Sequence, residues 1–133
     1  MTYEALKLRD GELLDVMLAT RKHNFTTMIH AENGEVVEWM TKKLEEKGMT
    51  EPYHHYTSRP PIVEAEATNR AISLSEIIQI PILLVHVSAP VTLFDRCSAD
   101  NSLRLNIFVT HRLVVCQFTG RHVLNTCTSL RVI

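Results

Sequence analysis

Charge of either sign is not in excess in this 133-residue chain. Fourteen basic residues face 15 acidic ones, for a formal net charge of −1 with the seven histidines neutral. That balance argues against nucleic-acid binding driven by net charge and against a polybasic membrane patch. No apolar run approaches the ~18–20 residues of a membrane span. The first ten residues, Met1 to Asp10, contain no signal-peptide core, so a soluble, cytoplasmic protein is expected. Cysteine is scarce. Three cysteines, at 97, 116 and 127, make no disulfide framework, and their spacings of 19 and 11 match no zinc motif. His-x-His is absent altogether. What remains is ordinary globular composition, 45% hydrophobic and 22% charged, in a length suited to one modest domain.

The average hides a break near residue 90. Residues 1–90 carry nine Lys and Arg against 13 Asp and Glu. Residues 91–133 carry five Arg and two Asp, no Lys and no Glu, and all three cysteines. Two regions are therefore expected, 1–90 and 91–133.

Within the first region the pattern alternates between helix and strand. Asp10 stands as the cap of a helix whose apolar stripe is Leu13, Leu14, Met17 and Leu18, closed by Arg21 and Lys22. Phe25 to Ile29 reads as a short buried strand. A second helix is expected from about Asn33, with Val36, Val37, Met40 and Leu44 as its stripe and Gly48 as its stop. Residues 49–61 read as a polar loop, in which His54 and His55 are expected to be solvated. Pro60-Pro61 opens a third helix running to about Leu74, with Glu64 in its first turn. Ile78 to Val87 contains a continuous apolar run, the mark of a strand buried on both faces. The order predicts an α/β segment with a parallel sheet.

Two histidines occupy equivalent places in that order. His30 ends the first strand and His86 falls near the end of the second, and in parallel α/β sheets such positions converge on one face. The small-residue turn His30-Ala-Glu-Asn-Gly34 leaves room there.

Three motifs then carry a resemblance: Thr27-Met-Ile-His-Ala-Glu-Asn-Gly-Glu35, Ser58-Arg-Pro-Pro-Ile-Val-Glu-Ala-Glu-Ala-Thr-Asn-Arg-Ala-Ile72, and Pro81-Ile-Leu-Leu-Val-His-Val-Ser88. In this order and spacing, residues 1–90 resemble the dihydropyrimidinase and hydantoinase family of cyclic amidohydrolases. The resemblance implies an incomplete fragment of a (β/α)8 barrel followed by an irregular C-terminal tail. It implies an enzyme with two zinc ions, a bridging carbamylated Lys and a bridging hydroxide, which opens 5,6-dihydrouracil or a hydantoin to an N-carbamoyl amino acid. His30 and His86 match the two His ligands of the second metal. Tyr3 matches the Tyr that hydrogen-bonds the substrate carbonyl and its developing oxyanion.

Ser58, Arg59, Glu64, Glu66, Asn69 and Arg70 are expected to cap helices and pair charges. The departures are as informative. The first metal's His pair, the bridging Lys and the late metal-binding Asp have no counterpart here, so the chain is expected to be inactive. The family's homotetramer is not expected to form normally. The family also has non-catalytic relatives, the collapsin response mediator proteins, which keep the first motif but lack the later His; a truncated regulator joining the full-length oligomer is a further possibility.

The tail does not continue the family pattern. Back-translation of Thr110 to Ser129 in a neighbouring frame permits AQTRGLPVYGQTCPQYLYL, which resembles the family's next strand and its Cys-Pro-Gln-Tyr motif. A change of frame between Pro90 and Leu103 accounts for this, and it leaves Cys97, Cys116, Cys127, His111 and His122 without a selected role.

Overall fold

The computed structural model describes residues 6–88, together with the strand segments 107–111, 114–118 and 128–129. Helix α1 spans Asp10–Lys22. Its cap is Arg9, one residue earlier than the sequence suggests, because the Glu12 carboxylate accepts the Arg9 N–H at 2.8 Å and so closes the first turn from within. Met17 is fully buried and Leu13 and Leu14 pack against the core, whereas Leu18 faces solvent. Strand β1 is Thr27–Ile29, shorter than expected at its start, with Phe25 exposed.

Helix α2, Gly34–Glu45, begins where its cap predicts: the Asn33 side chain accepts the Val36 N–H at 3.2 Å. It ends at Gly48, whose φ of +71° permits the Met49 N–H to reach the Leu44 carbonyl and its own N–H to reach Glu45. The segment read as a loop contains a short helix, α3, Tyr53–Thr57. Five residues are too few to show a periodicity.

Helix α4 starts at Pro61 and continues to Ile78, a turn beyond the expected end. Gln79 then adopts a left-handed φ of 56°, and the Ile80 N–H closes back on the Ser75 carbonyl. Nothing before Pro81 forbids helix, so Ile78 completes α4 rather than starting a strand. Strand β2 is correspondingly short, Ile82–Leu84.

β1 and β2 pair in parallel, with Thr27 opposite Ile82 and Ile29 opposite Leu84. α1 and α4 cover one face of this pair. There Met17, Ile29, Ala71, Ile72, Leu74, Ile80, Ile82, Leu84 and Val87 form the core. The opposite face is not buried as the apolar run suggested: Met28 is 69% exposed and Leu83 only half-buried. Burial on both faces requires a second layer, and the described residues cover only one face.

The sheet also runs on into the region expected to be irregular. β3, Ile107–His111, pairs in parallel with β2; β4, Val114–Phe118, pairs antiparallel with β3; β5, Thr128–Ser129, pairs antiparallel with β4. The β-branched and aromatic residues at 107–110 and the valines at 114–115 suit extended backbone, and β2 offers β3 an edge to pair with. The order is β1-β2-β3-β4-β5. Tyr3, Cys97, Cys127 and His122 lie outside the described residues; His111 and Cys116 fall in β3 and β4.

Candidate functional site

Because β1 and β2 are parallel and in register, their carboxyl ends lie side by side. His30 follows Ile29 directly, and His86 comes two residues after Leu84. The two rings meet: His30 Nδ1 lies 3.1 Å from His86 Nε2, with centroids 4.7 Å apart and planes tilted by 53°. His30 is half-buried and His86 is exposed. Burial lowers the His30 pKa from its ordinary value of 6.5, and the positive charge of a protonated His86 adds to the effect, against the carboxylates of Glu32 and Glu64. A neutral imidazole is thereby favoured.

The far side of His30 is also engaged. Its Nε2 lies 3.7 Å from Glu32 Oε2, and the other Glu32 oxygen lies 3.7 Å from Arg59 Nε. Arg59 is anchored in turn, donating through Nη1 to the Ser58 hydroxyl at 2.9 Å and the His55 carbonyl at 3.1 Å. A carboxylate facing Nε2 favours the tautomer with its proton there, which leaves Nδ1 unprotonated where it faces His86 Nε2. Glu32 was not singled out from sequence; its position two residues after a strand-end His was the available signal.

His86 is held differently. Its backbone φ is 43°, the left-handed region, which a non-glycine residue enters only under constraint. Before it, the Val85 N–H donates to the Ile29 carbonyl at 3.1 Å. After it, Ser88 donates both its N–H and its hydroxyl to the two oxygens of Glu64, in the first turn of α4.

The remaining residues of the second motif tie helices together. The Asn33 amide donates to Glu66 at 2.6 Å, and Arg70 bridges Glu66 at 3.3 Å and Asp10 at 3.4 Å, linking the starts of α1, α2 and α4. Asn69 is half-buried, and its Oδ1 has no hydrogen-bond partner among the described residues. His54 is half-buried rather than solvated, with its ring edge-on to Tyr53. A groove of about 650 Å³ beside β1 is bordered by Leu8, Leu13, Val16, Met28, His30 and Arg70.

Two imidazole nitrogens bound to one tetrahedral zinc stand roughly 3.3 Å apart. The His30–His86 separation matches that span. It is part of a site only: no third His, Cys, Asp or Glu joins the pair in a metal-holding group among the described residues, and zinc sites use three or four protein ligands.

Known proteins resemble part of this chain. No family model matches the chain. The D-hydantoinase of Geobacillus stearothermophilus is 43% identical over 79 residues, 59% of this chain and 17% of the relative. The dihydropyrimidinase of Arabidopsis thaliana is 41% identical over 83 residues, 62% of this chain and 16% of the relative. A solved D-hydantoinase structure superposes with a TM-score of 0.66 at 40% identity, over 68% of this chain and 20% of that one. About two thirds of the chain is similar to part of the D-hydantoinases and dihydropyrimidinases. The hydantoinase-like part is helix-rich α/β, as the sequence suggests, and the chain spans about a fifth of the length of these relatives. Among the described residues, no helix is long and apolar enough to cross a membrane.

Proposed function

We propose that residues 1–90 are an internal segment of a zinc-dependent cyclic amidohydrolase on a (β/α)8 barrel, acting in the cytoplasm on 5,6-dihydrouracil or a hydantoin in pyrimidine catabolism. The reading rests above all on the convergence of His30 and His86 at the carboxyl ends of two parallel strands, 3.1 Å apart, in a chain whose relatives are named hydantoinases and dihydropyrimidinases. Standing 56 positions apart in the sequence, the pair would hold one of two zinc ions. When bound, zinc makes hydroxide available at neutral pH and polarises the amide carbonyl.

The chain's own residues bind and orient. Glu32, backed by Arg59, sets the His30 tautomer. Tyr3 is assigned to donate its hydroxyl to the substrate carbonyl and to the oxyanion that forms from it. Because the ligand set is partial, the 133-residue chain alone does not turn over substrate; spanning about a fifth of its relatives' length, it does not assemble into the family's homotetramer. The presence of His86 beside His30 favours an enzyme lineage over the non-catalytic relatives.

Residues 91–133 are, on this reading, a tail translated out of frame. The antiparallel β3–β4 hairpin supports it, since a (β/α)8 barrel is parallel throughout. Sequencing the transcript from Ser88 to Gln117 tests it; a message that keeps the present frame and stops after Ile133 removes it.

The enzymatic reading is tested by a chimera. Residues 6–88 replace the matching segment of the Geobacillus D-hydantoinase, and hydantoin hydrolysis is assayed with zinc. Activity is expected, with its loss on His30→Ala or His86→Ala. A folded chimera whose activity survives either substitution would sink the proposal. Turnover of dihydrouracil by the isolated chain would overturn its inactivity.

A further inference from the structure

The strained backbone at His86 needs a restraint, and the structure offers one on each side. On the amino side, Val85 is tied to β1 through the Ile29 carbonyl. That bond continues the parallel ladder and asks nothing special of the sequence. On the carboxyl side, Ser88 lies beyond the end of β2, where no ladder reaches. Both of its donors go to one carboxylate, that of Glu64, 24 residues earlier in the chain.

Glu64 sits in the first turn of α4, where an acidic residue would ordinarily be explained by the helix dipole. Its geometry says more than that. The two Ser88 donors use both carboxylate oxygens, a two-point grip that fixes the direction of the chain as well as its distance. Between the two ties, Val85 to Ile29 and Ser88 to Glu64, the backbone has only His86 and Val87 in which to turn. Val87 is 5% exposed and belongs to the core. The turn therefore falls on His86, whose φ of 43° carries it and brings Nε2 to His30 Nδ1.

We propose that Glu64 is a positioning residue for the His30–His86 pair: by gripping Ser88 at both donors it holds the left-handed turn at His86 and so sets the separation of the two rings. This rests on the reading of the pair as the functional site, but it concerns the metal-free chain and can be tested without metal.

The test compares the full 133-residue chain with Glu64→Gln, Ser88→Ala and, as a control in the same helix, Glu66→Gln. Nuclear magnetic resonance reads the exchange protection of the Ser88 amide and the ring-to-ring contact between His30 and His86; urea unfolding reads global stability. In the unsubstituted chain and in Glu66→Gln, the Ser88 amide is protected and the rings are in contact. In Glu64→Gln the protection falls by about tenfold and the ring contact weakens, with an unfolding midpoint no lower than that of Glu66→Gln. Ser88→Ala, which keeps its N–H donor, shows a smaller loss of the same kind.

A ring contact unchanged in Glu64→Gln overturns the proposal, as does an unprotected Ser88 amide in the unsubstituted chain. Global unfolding of Glu64→Gln together with an unchanged contact in Ser88→Ala also overturns it, because Glu64 would then be merely structural. Cobalt titration of His30→Ala and His86→Ala separates the two readings. If neither substitution alters cobalt binding while the grip behaves as expected, the metal reading falls and the positioning role stands.

Discussion

The Val85 amide donates to the Ile29 carbonyl at 3.1 Å, immediately before the two histidines that follow these residues in the chain. One ladder bond thus brings β1 and β2 to their ends in step. His30 and His86 emerge from the same edge of the sheet, close enough for their rings to meet.

If the pair binds metal, its supporting carboxylate matters as well. Glu32 faces the His30 nitrogen that does not point at His86. Glu32→Gln is expected to weaken zinc or cobalt affinity by about 10–100-fold, as loss of a partner behind a ligand does, and His86→Ala by at least as much. Titration by calorimetry checks both, with circular dichroism to verify the fold. Affinity unchanged in Glu32→Gln would mean that the carboxylate does not orient the ring.

Burial lowers the His30 pKa below 6.5, which gives stability a pH dependence of definite sign. Between the lowered value and 6.5 the unfolded chain binds more protons at this residue than the folded chain does. Stability therefore rises with pH through that window, levels off above 6.5, and is least below both values. Urea midpoints measured between about pH 5 and pH 8 should fall on the acid side more steeply for the unsubstituted chain than for His30→Ala. Parallel profiles would contradict the assignment.

Leu84 and Ile82 are fully buried at the centre of the core. Leu84→Ala should cost about 2–5 kcal/mol, a large share of the few kcal/mol by which a small domain is stable. With one covered sheet face, the fold has little to spare. The expected observation is a chain largely unfolded without denaturant by circular dichroism, in contrast to Met28→Ala on the exposed face, which should change the midpoint little.

Gly48 has a φ of +71° and nothing within 4 Å of where a Cβ would lie. Gly48→Ala thus meets no neighbour but forces an L-residue into the left-handed region, at about 1 kcal/mol. Urea unfolding should show that loss with an unchanged slope. Helix α2 should keep its other end, since Asn33 still caps it.

Much of this was legible in the chain itself. Asn33 as a cap, Pro60-Pro61 as a helix start and Gly48 as a stop act through atoms a few residues away, so a short window contains all the physics. The parallel α/β order followed from the same local signals, and the family from three motifs in sequence. The end of α4 differs from the expectation because Ile78 and Ile80 suit a strand as well as a helix, and only the left-handed turn at Gln79 decides between them. The exposed face at Met28 could not be foreseen from apolarity, since burial depends on whether a second layer is present.

Sequence alone determined the helix limits set by caps and breakers, the two strand-end histidines and the family they resemble. Tertiary structure alone decided that those histidines touch across 56 residues, that Glu32 and Arg59 stand behind one of them, and that Glu64 reaches 24 residues to grip Ser88 behind the other. It also decided that β3 joins the edge of β2. Capping and turn energies are local and can be read residue by residue, whereas these contacts depend on the register of two paired strands and the packing of α4 against them, which no short stretch of sequence contains.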